Sequence, residues 1–212
     1  MVKDSFRTVL LKNKPPIILV PGIGFDYAMW NWKRILEEKG YLVKIAKLYS
    51  TFVSFKTIHE QAVILGKVVD DLLKDSDKTK CNLIGFSMGS IVSLYYLQNM
   101  DGYKKVDKCI CAIGPFLGIR RYLLLLASLT SLVRSLPEIF PRSSLLQGMI
   151  NFGELKDVKV YTLRGQYDML CSEKSGRLPF AKNLDPLPTG HAGIYFAFNL
   201  EAIKHMLKIL KK

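Results

Sequence analysis

Residues Cys81-Asn82-Leu83-Ile84 make a short, mostly apolar run that runs straight into Gly85-Phe86-Ser87-Met88-Gly89. Ile91 to Leu97 follow and can continue as a helix. The middle five residues fit G-x-S-x-G, and the whole reads as a strand, a sharp turn and a helix. Such a turn strains the Ser87 backbone and lifts its hydroxyl above the edge of a sheet. Gly85 and Gly89 leave space where a Cβ would strike the adjoining strand or helix. Because the helix starts at Ser87, its amino end favours negative charge close to that hydroxyl.

A strand of this kind needs neighbours, and the chain supplies them in alternation with helices. Ile17-Ile18-Leu19-Val20 is fully apolar, as a central parallel strand is, and Pro21-Gly22-Ile23-Gly24 breaks it. Met29, Trp32 and Leu36 recur at helical spacing, with Gly40 suited to the helix end. Tyr41 to Ala46 reads as a second strand. Ile58, Ala62, Leu65, Val69 and Leu72 mark a long amphipathic helix reaching about Lys74. Beyond the helix after Ser87, which extends to about Met100, Asp101-Gly102 forms a turn. Val106 to Ile113 and Val158 to Leu163 read as strands. Phe196, Leu200, Ile203, Leu207 and Leu210 give a stripe on a terminal helix. The alternation predicts an α/β fold: a mostly parallel sheet covered by helices on both faces. At 212 residues, with no repeat or linker, one domain over 1–212 is expected.

A serine hydroxyl is a weak nucleophile without a base, and the base needs a carboxylate to orient it. Of the three histidines, His59 and His205 fall among polar residues of amphipathic helices, where a surface role is simplest. His191 lies in Thr189-Gly190-His191-Ala192-Gly193, a small-residue loop before the terminal helix, and is the candidate base. Asp168 follows the Val158 to Leu163 strand through Arg164-Gly165-Gln166-Tyr167, where open α/β sheets place their ligand-handling residues. Asp185 is nearer His191 in sequence, but Asn183-Leu184-Asp185-Pro186 has turn chemistry. Asp168 is the preferred acid, and the order Ser, Asp, His holds with either. An oxyanion formed at Ser87 needs two backbone N–H donors, for which Met88 and Ile23 are placed.

These four regions, Ile17 to Gly24, Gly85 to Gly89, Gly165 to Leu170 and Gly190 to Gly193, resemble those of small lipases and esterases of the α/β-hydrolase superfamily. The resemblance is nearest to bacterial triacylglycerol-lipase-like proteins with a minimal sheet. It implies Ser87 as nucleophile, Asp168 as acid, His191 as base, and Ile23 and Met88 as oxyanion donors. The expected reaction is hydrolysis of a carboxylic ester with a hydrophobic acyl group, through an acyl-enzyme and with no cofactor or metal. Acyl transfer and thioester or amide cleavage use the same triad, and a non-catalytic lipid-binding or partner-binding protein is the reading from another class. One departure is Pro21, which stands where many such proteins carry His, so hydrogen bonding behind that loop must differ.

Residues 116–155 form a long excursion between two strands, which the resemblance reads as a helical cap. Tyr122, Leu125, Leu126, Leu129, Leu132, Val133 and Leu136 would make a wide apolar stripe, with Arg120, Arg121 and Arg134 at its ends. Such a helix either packs on the core or lies over Ser87, touching acyl chains or an anionic membrane surface. The net charge of +13 suits peripheral contact of that kind. A nucleic-acid partner is not expected, because basic residues and aromatics are not interleaved. Cys81, Cys109, Cys111 and Cys171 form no C-x-x-C pair, which points to reduced thiols, and the amino end has only Val9-Leu10-Leu11 as an apolar run. A cytoplasmic location is expected.

Overall fold

The computed structural model describes residues 14–23, 26–48, 56–120, 134–151, 155 and 157–211. Six parallel strands are set in the order β2-β1-β3-β4-β5-β6. They are β1 (Ile17–Val20), β2 (Val43–Ile45), β3 (Cys81–Phe86), β4 (Val106–Ala112), β5 (Lys159–Leu163) and β6 (Lys182–Asn183). The helices are α1 (Met29–Glu38), α2 (Ile58–Ser76), α3 (Met88–Asn99), α4 (Ser144–Asn151), α5 (His191–Tyr195) and α6 (Leu200–Leu210).

The all-apolar β1 and the mainly apolar β3 follow from the layering. Ile18, Val20, Cys81 and Leu83 face a core shared with α2, α3 and α4. Ile17, Leu19, Ile84 and Phe86 face the opposite core, with α1, α5 and α6. A strand buried on both faces has no side to leave polar. For the same reason α3 lacks a polar stripe: it runs across the sheet under α2, and only Tyr95 and Asn99 escape full burial. The long helix α2 starts on a capping box, in which the Glu60 N–H donates to the Thr57 hydroxyl and the Thr57 N–H to the Glu60 carboxylate.

Most expected elements stand within a residue or two of their sequence bounds, with two departures. The expected strand Tyr41 to Ala46 pairs only over Val43–Ile45, since a strand at the edge of a sheet has one neighbour to hold it. The terminal helix is turned only in part from the expected stripe, of which Leu210 is buried and Ile203 and Leu207 are partly buried against the core. Its buried face carries Ala202, Met206, Ile209 and Leu210, while Leu200 is 71% exposed and Phe196 precedes the helix. The cause is local: Ala197 takes a left-handed conformation (φ 59°) and Asn199 caps the helix by accepting from the Ala202 N–H. The helix therefore restarts on a new phase, with small Ala202 against the sheet.

Of the expected cap helix, Arg121 to Val133 lie outside the described residues. Where 116–155 is described, it packs on the core through Phe116, Leu136, Ile139, Leu146 and Met149. Glu138 ties this segment to α2 by accepting from the Ile58 N–H at 2.8 Å. Burial raises the Glu138 carboxyl above its ordinary range. Among the described residues, no helix is long and apolar enough to cross a membrane.

Candidate active site

The sheet's carboxyl edge is where the chain turns sharply, and it gathers the candidate residues. Ser87 stands between β3 and α3 with φ 53° and ψ −123°, a strained backbone for a residue with a side chain. The strain is held in place from several sides. The Ser87 N–H donates to the Ala112 carbonyl at 2.8 Å. The Ser90 hydroxyl lies within 2.9 Å of the Gly85 carbonyl and 3.2 Å of that of Ala112. The two glycines of the motif are required by contact. A Cβ on Gly85 would lie 2.6 Å from the Gly89 carbonyl oxygen, and one on Gly89 would meet the Val20 carbonyl oxygen and lie 2.5 Å from that of Pro21.

Asp168 and His191, the candidate acid and base, come together. Asp168 Oδ2 lies 2.8 Å from His191 Nδ1, and the two side chains are 3% and 12% exposed. A carboxylate in this position can accept from Nδ1, and a neutral ring that donates from Nδ1 would leave a lone pair on Nε2. The other carboxylate oxygen accepts from the Leu170 N–H at 2.8 Å and the Cys171 N–H at 2.9 Å. Asp185, the rival acid, is exposed in its loop. His59 bonds with the Tyr95 hydroxyl and His205 with the Glu201 carbonyl, both away from this cluster.

Backbone pairing, which no side-chain pattern announces, sets the distance between acid and base. The loop after β5 and the loop before α5 are zipped together: the Gln166 N–H donates to Leu187, the Leu187 N–H to Arg164 and the Tyr167 N–H to Thr189. Gly165 permits the approach, since a Cβ there would lie 2.6 Å from the Thr189 carbonyl oxygen. His191 is the first residue of α5 and not part of the expected loop. α1 anchors that helix: the Trp32 indole N–H donates to Ile194 and the Asn31 amide to Phe196. Arg120, expected at the end of a membrane-facing helix, instead donates from its guanidinium to the Asp168 carbonyl at 3.3 Å.

Ser87 and His191 line one cavity of about 620 Å³ with Ile23, Met169, Leu170 and Phe196. That is the size of a small-molecule site, and its walls are mainly apolar. Ile23 is partly exposed on this wall, while the Met88 side chain, at the start of α3, is fully buried. Asp168, Cys171 and His191 offer three ligand atoms within 4.8 Å of one another. Burial pushes the Cys171 thiol well up, and the neighbouring Asp168 adds to this.

Solved structures of the same architecture are numerous. Lipase BlEst2 from Bacillus licheniformis superposes with a TM-score of 0.78 at 18% identity, over 93% of this chain and 92% of that one. A carboxylesterase from the thaumarchaeon Nitrososphaera gargenis gives 0.64 at 17% identity, over 94% and 91%. Carboxylesterase CesB from Bacillus subtilis gives 0.61 at 13% identity, over 92% and 83%. The chain has the α/β-hydrolase fold. Within it, the profile of the lecithin:cholesterol acyltransferase family matches residues 58–132, which carry α2, β3, Ser87, α3 and β4. In this hydrolase fold, Asp168 stands beyond the carboxyl end of β5 and His191 before the last helix.

Proposed function

We propose that the protein is a serine hydrolase of carboxylic esters with hydrophobic acyl groups, acting through Ser87, His191 and Asp168. The observation that carries this reading is the Asp168–His191 hydrogen bond at the wall of the apolar cavity that Ser87 also lines. His191 Nε2 takes the Ser87 proton as the hydroxyl oxygen attacks the ester carbonyl. Asp168 stays ionised, holds the ring by Nδ1 and stabilises the imidazolium. The amides of Met88 and Ile23 receive the oxyanion. His191 then protonates the leaving alcohol, and water activated by the same ring releases the acid from the acyl-enzyme.

The apolar wall supports the hydrophobic acyl group. Tyr167 and Met169, which also line the cavity, are 63% and 72% exposed. With the net charge of +13, this supports a working position against an anionic membrane surface. The buried thiols suit a cytoplasmic protein. One domain over 1–212 houses the whole site.

A second reading is favoured by the family profile over residues 58–132: an alcohol, in place of water, accepts the acyl group from Ser87. Both readings predict covalent labelling of Ser87 by a fluorophosphonate. Product analysis with an ester and a second alcohol separates them, since transfer yields a new ester and hydrolysis the free acid. Absence of both labelling and ester turnover would leave a non-catalytic binding protein.

A further inference from the structure

The loop after β1 would present the Ile23 amide, yet the amide just before it is already engaged. The Gly22 N–H donates to the Tyr195 hydroxyl at 2.9 Å, across 173 residues of chain. That same Tyr195 ring stacks on His191, with centroids 6.1 Å apart and planes inclined by 15°. It also meets Phe86, the residue before Ser87, edge-on at 6.1 Å. The fit against the loop is close, since a Cβ on Gly22 would lie 3.1 Å from Tyr195 Cε2 and 3.0 Å from Ser87 Cβ. Tyr195 is 4% exposed, and burial raises its phenol, so the hydroxyl stays neutral through the working pH range.

Gly22 is the joint on which the donor depends. Pro21 fixes its own φ and offers no N–H, while Gly22 can turn freely and swing the following amide. We infer that Tyr195 is a positioning residue: its hydroxyl oxygen holds the Gly22 N–H and so aims the Ile23 amide at the oxyanion. Its ring meanwhile backs His191, so one residue sets both the donor loop and the base. This inference rests on the proposed esterase reading.

The test is Tyr195→Phe, which keeps the ring on His191 and removes the acceptor. Loss of a whole oxyanion donor costs about 10²–10³ in kcat, so a donor left loosely aimed should cost about tenfold or more. KM and the pH midpoint of kcat/KM should hold, because ring and base are untouched. Affinity for an alkylboronic acid, which adds to Ser87 as a tetrahedral anion, should fall by the same factor as kcat. A folded Tyr195→Phe enzyme with unchanged kcat and boronate affinity would overturn the inference. So would a loss in KM or thermal stability alone. Should the variant not fold, amide exchange of the wild-type Gly22 N–H decides: protection supports the inference and solvent-like exchange overturns it. Wild-type protein that neither turns over esters nor reacts with a fluorophosphonate would remove the esterase reading itself, and this inference with it.

Discussion

His191 Nδ1 and Asp168 Oδ2 lie 2.8 Å apart, although 23 residues and a sheet edge separate them in the chain. The carboxylate is 3% exposed and takes two further N–H bonds on its other oxygen, so its orientation is fixed before any substrate arrives. Asp168→Asn keeps the shape but presents an amide to the ring, which favours the wrong tautomer. The expected loss is about 10⁴ in kcat, as in a comparable triad. Asp185→Asn should change kcat less than about twofold, as a surface substitution does. Parallel assays of the two variants check the choice of acid, and the reverse ranking would show Asp185 to be the partner of His191.

The glycines of the structure divide into those that a methyl group would break and those it would help. Gly89→Ala drives a Cβ into the Val20 and Pro21 carbonyls behind the turn. It should destabilise by more than the roughly 3 kcal/mol that bounds most single substitutions. Gly148, inside α4, has nothing within 4 Å of a Cβ. Gly148→Ala should stabilise by about 0.5–1 kcal/mol through helix propensity. Urea unfolding of both variants measures the contrast.

The four cysteines are buried and unpaired. Burial pushes Cys81 up to about 12, and Cys171 lies well above its ordinary value with Asp168 beside it. At pH 8 only about 10⁻⁴ of the Cys81 thiol is then thiolate, the form that reacts. A disulfide reagent should therefore leave the native protein unlabelled over minutes and modify all four thiols once guanidinium unfolds it. Rapid labelling of native Cys171 would mean that the acid's surroundings open readily.

Met169 and Leu170 belong to the cavity wall, and Leu170 holds Asp168 through its backbone N–H. Replacing both with Ser should leave the acid in place and weaken binding of the acyl chain. The expected fall in kcat/KM is about tenfold or more on eight-carbon acyl esters, the scale of a few lost apolar contacts in a pocket. Acetyl esters should be nearly unaffected. Co-sedimentation of the unmodified protein with vesicles should rise with anionic lipid and weaken in salt, because charge is screened beyond about 8 Å at physiological ionic strength.

How much of this was legible beforehand depends on the range of the interaction. The turn at Ser87 was legible because strand, glycines and helix are adjacent in the chain and each obeys local rules. Asp168 was legible as a candidate acid from its place after a strand. Its partnership with His191 was expected from the chain order, but the backbone pairing that sets their distance, Gln166 with Leu187, Leu187 with Arg164 and Tyr167 with Thr189, has no residue signature. Tyr195 escaped notice for a related reason. Its role lies in a bond to Gly22 that spans nearly the whole chain, and no local pattern announces such a bond. The terminal helix was phased only in part: Leu210 is buried and Ile203 and Leu207 pack against the core, but Leu200 is exposed and Ala202 and Met206 hold fully buried positions. β6 has two residues and α5 has five, too short for any periodicity to develop.

The measurement that bears most directly on the proposed chemistry is hydrolysis of a soluble short-chain ester by purified Ser87→Ala protein beside the unmodified chain. Replacing Ser by Ala at the N-cap leaves the burial of α3 intact, so circular dichroism and cooperative unfolding should be retained. The rate should fall by about 10⁶ in kcat, to the level left by binding and the oxyanion donors alone. Fluorophosphonate labelling should disappear with it. Substantial hydrolysis by the folded variant, at a rate near that of the unmodified protein, would contradict Ser87 as the nucleophile.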